Sequence, residues 1–389
     1  MPYVQNNGVK TYYEVEGTGP ALILLHGASQ GLLHWREFGW TDQLKKDYQL
    51  ILIDIRGHGT SDKPHEPDAY GVELMALDVL AVMDRLGIGR AHCCGFSLGG
   101  FVGFALAKLA LDRFYSFVVV GSHPYSAPGV GEAARSEYMV PMEEGLEGDY
   151  SSGLLMMPHF RTQMLGNDPA ALYAVIYNDF PSNEAVLSTM TMPCLICVGE
   201  GGDFYDDAKK CAEQLPNARF HSFPGFTHGQ MLRYSSQVAP HVKQFLDEIT
   251  PKHEKNRAVI HRLLQALNQG NFEALNEFYS SDWVCRSPTT TGRNQEVRQL
   301  VDSIFDIFRD AEAVVHEIST EDDQVTTRWT FKGTLSHEWL GIAPTKVRVK
   351  LSGMTVDRLQ DGKITESSYS FDLAGLRQQL LTTAVKSDS

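Results

Sequence analysis

The sequence lacks a long apolar run, a basic leader and an excess of positive charge. No apolar stretch reaches the roughly 20 residues that a transmembrane helix needs, so no membrane span is predicted. The N-terminal residues, MPYVQNN, have neither the basic start nor the apolar core of a secretory signal, and we expect a cytoplasmic protein. The formal net charge of −14 argues against the concentrated basic surface that a nucleic-acid partner requires.

Cysteine is scarce, with six residues in 389, and its spacing suits neither a metal site nor a disulfide framework. Cys93 and Cys94 are adjacent. Cys194 and Cys197 lie on one predicted strand, at positions whose side chains face opposite sides. Free cysteine behaves as a small buried hydrophobe, so we expect these thiols in the core and no metal.

The composition is that of a folded protein, with 43% hydrophobic and 21% charged residues. The length exceeds what one hydrophobic core usually organises, which favours two domains. In the first part, apolar runs alternate with helical stretches, a pattern that predicts a mostly parallel, doubly wound α/β sheet with helices on both faces. The predicted strands are 12–15, 21–25, 49–53, 91–94, 117–120, 194–198 and 218–223, and the predicted helices are 71–86 and 101–111.

Two changes of pattern divide the chain. Residues 122–191 interrupt the alternation with Met, Tyr, Glu and Pro in irregular helical segments. An insertion at this point would lie over the carboxyl ends of the strands, and we interpret it as a helical lid that lines a substrate pocket. Near Pro251 a predicted helix meets a proline and a short charged run. The expected domains are therefore residues 1–250 and 251–389.

The second domain is predicted to be α+β. An amphipathic helix over 257–267 and a second helix over 301–308 come first. Strand-like stretches follow at 325–331, 347–356 and 364–371, with Asp361-Gly362 as a turn signal. Helices followed by a run of hairpin-like strands predict an antiparallel sheet.

The motif C-G-F-S-L-G-G at residues 94–100 joins a predicted strand to a predicted helix. The G-x-S-x-G sequence allows a sharp turn there, because Gly95 and Gly99 have no Cβ to collide with neighbouring elements. The turn exposes the hydroxyl of Ser97, our candidate nucleophile. The N–H of Leu98, at the helix start, can then receive negative charge that develops on an attacked carbonyl. An ordinary tight turn is the alternative interpretation.

A serine hydroxyl becomes nucleophilic when a base removes its proton and a third group orients that base. His228 lies in a loop after the last predicted strand of the sheet and is the candidate base. Asp203 follows the strand 194–198 and is the candidate acid. Glu200 is the first alternative, Asp206 and Asp207 are also nearby, and a plain turn aspartate is the other interpretation. The order Ser97, Asp203, His228 is the chain order of this arrangement on doubly wound sheets.

Acyl transfer also needs a second N–H aimed at the same oxygen. The loop His26-Gly27-Ala28-Ser29 follows the strand 21–25, and the amide of Ala28 is the candidate donor. We interpret His26 as a residue that braces this loop.

Four motifs of the first domain occur in a familiar order: L-H-G at 25–27, D-I-R-G-H-G-T-S-D at 54–62, G-F-S-L-G-G at 95–100 and P-G-F-T-H at 224–228. With them, residues 1 to about 250 resemble the α/β-hydrolase fold superfamily. The resemblance implies a triad of Ser97, Asp203 and His228, an oxyanion hole from Ala28 and Leu98, and no cofactor. Serine at position 97 argues against the epoxide-opening and dehalogenating relatives, which use aspartate. This chain has an added glycine in its acid loop.

The second domain carries G-T-L at 333–335, G-I-A-P-T at 341–345, D-G-K-I-T-E at 361–366 and then Asp372. With these motifs, residues 254–380 resemble the SnoaL-like polyketide cyclases of the nuclear-transport-factor-like folds, a cone of curved sheet and helices. The resemblance implies Asp372 as the general base of a second site. Arg286 and Ser367 stand where relatives often carry histidine, which favours a binding, dimerising or lid-supporting role.

The leading hypothesis is a serine hydrolase that cleaves an ester, lactone or thioester bond of a small to medium apolar substrate through an acyl-enzyme. Hydrolysis of a C–C bond follows the same chemistry and stays open. One alternative is a bifunctional polyketide-type hydrolase and cyclase that uses Asp372. Another is a non-catalytic ligand-binding protein. The expected partner is a small ester-like molecule, without nucleic acid or membrane, and we expect a homodimer through the C-terminal domain.

Overall fold

The computed structural model describes residues 2–126, 167–178, 180–271, 273–287, 291–293, 307–339, 341–344 and 348–387. The chain divides into two compact units, residues 1–250 and 251–389. Residues 127–166 of the expected lid lie outside the described residues, as do residues 301–306 of the expected helix over 301–308.

The first unit contains a mostly parallel sheet. Its described strands are β1 (Tyr3–Asn6), β2 (Val9–Glu16), β3 (Ala21–Leu25), β4 (Gln49–Ile53), β5 (Ala91–Phe96), β6 (Phe114–Val120), β7 (Cys194–Gly199) and β8 (Ala218–Phe223). They lie in the order β1-β2-β4-β3-β5-β6-β7-β8. The pairs β1-β2 and β2-β4 are antiparallel, and the pairs from β4-β3 onwards are parallel. The predicted α/β class is confirmed.

Helices cover both faces of this sheet. They are α1 (Leu33–Glu37), α2 (Trp40–Leu44), α3 (Val72–Leu86), α4 (Leu98–Ala110), α5 (Pro169–Tyr177), α6 (Tyr205–Gln214), α7 (His228–Arg233) and α8 (Ser235–Ile249), with 3₁₀ turns at Pro67–Tyr70, Leu111–Arg113 and Glu184–Thr189. In β3, Ile23 and Leu25 join the core formed with α3 and α4, whereas Leu22 and Leu24 join the core formed with α8. Successive side chains of a strand point to opposite faces, so one unbroken apolar strand contributes to two cores.

The turn from β5 into α4 has no room for a side chain at two positions. A Cβ on Gly95 would overlap the carbonyl oxygen of Gly99, and a Cβ on Gly99 would overlap the carbonyl oxygen of Leu25 at the end of β3. Between the glycines, Ser97 adopts φ 52° and ψ −114°, a backbone conformation that residues with a side chain rarely adopt. The Ser97 N–H donates to the Val120 carbonyl at 3.0 Å, which fixes this turn against β6.

The second unit has a six-stranded sheet among its described residues, in the order β10-β9-β14-β13-β12-β11. Its elements are α9 (Lys252–Asn268), α10 (Leu275–Phe278), β9 (Tyr279–Arg286), β10 (Thr291–Arg293), β11 (Phe308–Glu321), β12 (Gln324–Leu335), β13 (Arg348–Gln360), β14 (Lys363–Phe371) and α11 (Leu373–Ser387). The α+β class is confirmed, with two differences. β14 pairs with β9 in parallel, and Phe308, expected in a helix, begins β11.

A carboxyl group is buried in this second unit. Asp357 on β13 accepts a hydrogen bond from the Ser367 hydroxyl at 2.5 Å, and Ser367 accepts one from the Trp283 indole N–H at 3.0 Å. All three residues are buried. Desolvation raises the pKa of Asp357 to about 7, against the opposing effect of the Ser367 hydrogen bond. Burial in the core of this unit therefore favours the protonated form of this carboxyl group.

Replacing Gly99 with alanine is expected to destabilise the first unit by about 2 to 3 kcal/mol, because the added Cβ overlaps backbone at the end of β3. Gly103→Ala in the same helix is the matched control. Outside the helix, the nearest atom to its added Cβ is Phe117 Cδ1 at 3.8 Å, and alanine favours the helix by up to about 1 kcal/mol. Urea denaturation compares both variants with the wild type. Equal midpoints for the two variants would contradict this steric explanation.

Asp357→Asn is expected to remove a pH dependence from the stability of the second unit. The folded pKa of about 7 lies above the value of about 3.9 for an unfolded aspartate, so the native state binds more protons between these values. The contribution of this group is therefore greatest below about pH 4, falls by at most about 1.4 kcal/mol per pH unit up to about pH 7, and is level above that.

Urea unfolding between about pH 4 and pH 8 measures this slope. The control is Asp372→Asn, since asparagine caps a helix as well as aspartate does and Asp357 stays in place. The control should keep the wild-type slope, whereas a wild-type slope in Asp357→Asn would show that another group causes it.

Candidate active site

Ser97 and His228 are brought together across 131 positions of sequence. Ser97 immediately precedes α4, and His228 is the first residue of α7, which follows β8. The Ser97 Oγ lies 3.0 Å from the His228 Nε2, within hydrogen-bond distance. The nucleophile and base predicted from the sequence are therefore in contact, at the carboxyl edge of the parallel sheet.

The imidazole of His228 is held by its neighbours. Its ring stacks on Phe96 at a centroid distance of 5.0 Å and meets the Phe204 ring edge-on, also at 5.0 Å. A capping box between Thr227 and Gln230 fixes the start of α7. Burial lowers the pKa of His228 to about 4, while the negative charge of Asp203 acts in the opposite direction. The imidazole is therefore neutral at neutral pH, the state that can accept a proton from a hydroxyl.

Asp203 lies on the loop between β7 and α6, where the sequence placed it, and it is exposed. Its charge raises the pKa of His228, but no direct hydrogen bond joins the two side chains in the described structure. Glu200, the alternative acid, accepts a hydrogen bond from the Ser222 hydroxyl at 2.8 Å. Of the two carboxylates, Asp203 is the one whose charge raises the pKa of His228.

The loop after β3 offers the expected amide of Ala28. In this loop the Gly27 N–H donates to the Gln30 side chain and the Ser29 N–H donates to the His58 Nε2. For the Ala28 N–H, the described residues provide no acceptor. The N–H of Leu98 is the first of α4 and has no partner within the helix, as the helix geometry requires. These are the two amides that the sequence analysis selected.

Buried side chains hold this loop in place. The Ile55 N–H donates to the His26 Nε2 at 3.0 Å, and the His26 Nδ1 lies 2.8 Å from the Gly27 carbonyl. Burial lowers the pKa of His26 to about 3, so the ring stays neutral. Asp54 accepts hydrogen bonds from the backbone of Leu32 and Thr60. His26 thus ties the loop to Ile55, and Asp54 joins Leu32, which follows the loop, to Thr60.

Sequence reasoning missed His123, a buried residue just beyond the end of β6. Its ring packs edge-on against Phe101 of α4 at 5.2 Å and against Phe204 at 5.0 Å. The Phe204 ring thus touches both His123 and His228. One signal was available: His123 follows an apolar strand at the same sheet edge as Ser97.

Asp372 lies at the start of α11, and it is exposed. Its carboxylate accepts a hydrogen bond from the Gly375 N–H at 2.8 Å, which is the bond of a helix cap. The buried carboxyl of the second unit is instead Asp357. The signal for it was the alternation along β13, where Asp357 stands between the buried Thr355 and Leu359.

The described residues contain no group of three or more His, Cys, Asp or Glu side chains that could hold a metal ion. The six cysteines are unpaired and buried. In the same residues, no helix has both the length and the apolar character that crossing a membrane requires.

Comparison with known proteins relates each unit to a family. Residues 20–140 match the alpha/beta hydrolase fold, and residues 257–380 match the SnoaL-like polyketide cyclase family. RutD of Azorhizobium caulinodans, named as a candidate carbamate hydrolase, is 33% identical over 120 residues, which are 31% of this chain and 44% of RutD. The 3-oxoadipate enol-lactonase 2 of Acinetobacter baylyi is 33% identical over 129 residues, 33% of this chain and 45% of that enzyme. The chain thus spans less than half the length of these two relatives.

Among solved structures, the esterase RhEst1 from a Rhodococcus species is 25% identical with a TM-score of 0.54, and the match covers 64% of this chain and 98% of the esterase. The relatives are hydrolases, and the solved structure has the same fold as the first unit. The chain therefore joins a unit of the α/β-hydrolase fold to a SnoaL-like domain.

Proposed function

We propose that the first unit is a serine hydrolase that cleaves an ester, lactone or thioester bond of a small to medium apolar substrate through an acyl-enzyme. The observation that carries the proposal is the contact of 3.0 Å between the Ser97 Oγ and the His228 Nε2. It occurs on a turn that presents the hydroxyl beside the start of a helix, where a carbonyl oxygen can be stabilised.

The proposed reaction has two halves. In the first, His228 takes the Ser97 proton as the Oγ attacks the carbonyl carbon, and the N–H groups of Ala28 and Leu98 stabilise the oxyanion. The tetrahedral intermediate then expels the alcohol or thiol, which receives the proton from His228. In the second half, water attacks the acyl group, gives a proton to His228, and releases the acid as Ser97 recovers its proton.

In this mechanism Asp203 stabilises the positive imidazolium that forms during each half. Its electrostatic effect on His228 supports that role, whereas Glu200 is engaged with Ser222. A carboxylate near the imidazole favours the charged ring and the tautomer that leaves Nε2 free to accept the serine proton.

Hydrolysis is the activity we propose for the whole chain. No specific observation favours ring closure by Asp372. The Asp372 carboxylate is exposed and caps α11. For the second unit we keep a binding or dimerising role, to be tested by measuring the mass of the chain in solution.

Ser97→Ala is expected to lower kcat/KM for an activated aryl ester by more than about 1000-fold while leaving the fold intact, because alanine has no attacking oxygen. Hydrolysis of 4-nitrophenyl acetate and labelling by a fluorophosphonate measure the two consequences. The unfolding midpoint is the control for folding. Turnover and labelling that survive the substitution would refute the assignment.

Asp203→Asn is expected to lower kcat about 100-fold, because the neutral amide no longer stabilises the imidazolium. Glu200→Gln is the matched variant on the same loop and should stay within about threefold of the wild type, since its partner is Ser222. The same 4-nitrophenyl acetate assay compares them. The larger loss in Glu200→Gln would transfer the acid role to Glu200.

A further inference from the structure

His123 has a buried ring nitrogen without a partner. Its side chain is 3% exposed, and within the described part of the chain the Nδ1 makes no hydrogen bond. An unsatisfied buried polar atom destabilises the fold, and a native protein rarely keeps one without a use. The cost is removed when a ligand supplies the missing hydrogen bond.

Two further buried polar atoms near His123 are also unsatisfied. They are the Oγ of Ser122, the preceding residue, and the Oδ1 of Asn183, whose N–H donates to the Pro124 carbonyl at 2.7 Å. Unsatisfied polar atoms are therefore concentrated just beyond the end of β6. A polar group supplied by a ligand would satisfy such atoms.

The position is close to the proposed nucleophile and base. The Ser122 side chain lies against Gly100 in the first turn of α4, the helix that begins after Ser97. The Phe204 ring lies 5.0 Å from the ring of His123 and 5.0 Å from the ring of His228. A single aromatic ring thus separates His123 from the proposed base.

The side chains that pack against His123 are aromatic. Phe101 meets it edge-on at 5.2 Å, Tyr125 stacks on it at 5.7 Å, and Phe180 stacks on Phe101 at 5.4 Å. A ligand group that reaches the His123 Nδ1 would lie among these rings, and a flat group suits them best, since aromatic pairs gain energy from stacked and edge-on contacts.

The tautomer of His123 determines which partner its Nδ1 accepts. Asp207 is the charged residue that faces the ring, with its Oδ2 3.8 Å from the Nε2. A nearby carboxylate favours a proton on the Nε2, so the Nδ1 of the neutral ring presents a lone pair. A lone pair accepts a hydrogen bond from a hydroxyl group and repels a carbonyl oxygen.

We infer that His123 determines specificity: its Nδ1 accepts a hydrogen bond from a hydroxyl group of a flat, aromatic or unsaturated substrate bound beside Ser97. This inference rests on the proposed function and names the substrate class of that site. His123 binds the substrate and takes no part in bond breaking. The substrate class is a hydroxylated aryl or unsaturated ester.

The test compares esters that differ only in this donor. The 4-nitrophenyl esters of 2-, 3- and 4-hydroxybenzoate are each paired with the methoxybenzoate of the same position, which has similar electronic character but no O–H. The quantity measured is the ratio of kcat/KM for hydroxy over methoxy. For at least one position, the wild type should favour the hydroxy ester about tenfold, the value of one hydrogen bond to a buried acceptor.

Three variants separate the hydrogen bond from packing. His123→Phe removes the acceptor and should bring the ratio to about one, mainly by loss on the hydroxy ester. His123→Gln keeps an acceptor oxygen and should retain most of the preference. Asp207→Ala alters a half-exposed side chain, so folding is little affected. It should lower the preference for the hydroxy ester, because the proton is then no longer favoured on the His123 Nε2. Ratios that are equal in the wild type and all three variants would overturn the inference.

A binding measurement distinguishes failure of this inference from failure of the proposed function. Calorimetry on Ser97→Ala with the hydroxy- and methoxybenzoate acids measures the same preference without turnover. A binding preference for the hydroxy acid that disappears when His123→Phe is added supports the proposed role of His123. If that preference is found but no ester is hydrolysed by the wild type, only the serine mechanism is wrong. If esters are hydrolysed but no preference depends on His123, the proposed specificity role of His123 is wrong and the proposed hydrolase function stands.

Discussion

The close approach of the β5-α4 turn to the end of β3 is the constraint on which the first unit depends. Side chains at Gly95 and Gly99 would overlap backbone oxygens, so only glycine lets α4 begin where it does. Ser97, between them, is left in a strained conformation that costs about 1 to 3 kcal/mol. Backbone hydrogen bonds hold that conformation: the Ser97 N–H donates to Val120, and the Gly99 N–H donates to His26. The strain persists because two neighbouring strand ends fix it, and its result is a half-buried hydroxyl within hydrogen-bond distance of His228.

The parallel sheet then explains why distant residues meet. Ser97, His123, Asp203 and His228 follow β5, β6, β7 and β8, and the carboxyl ends of parallel strands share one edge. The sheet places each residue within reach, and aromatic packing sets the final geometry. Phe204 does this for two of them, because its ring contacts both His123 and His228. A change at this one ring therefore affects the proposed base and the proposed specificity residue together.

The sequence predicts strand positions and residue types well where one local pattern determines them. The apolar runs at 21–25, 49–53 and 218–223 have the bounds of β3, β4 and β8. Contacts between side chains are harder to predict from the sequence, because they depend on the direction of each side chain as well as on its position in the chain. Only the folded structure shows the hydrogen bond between Glu200 and Ser222 and the buried environment of His123. In the second unit, the parallel pairing of β14 with β9 joins segments far apart in sequence, which no local pattern indicates.

The acid loop shows how burial and charge compete at the proposed base. Asp203 is exposed, so water screens its charge, whereas the desolvation of the His228 ring is not screened, and the pKa of the imidazole falls to about 4. A neutral ring at rest is the state that accepts a proton, but the reaction also requires the charged ring to be stabilised as it forms. A substrate that covers the site removes the screening water and strengthens the attraction between Asp203 and the imidazolium. In the proposed mechanism the exposed acid therefore acts most strongly when substrate is bound, which would couple the basicity of His228 to occupancy of the site.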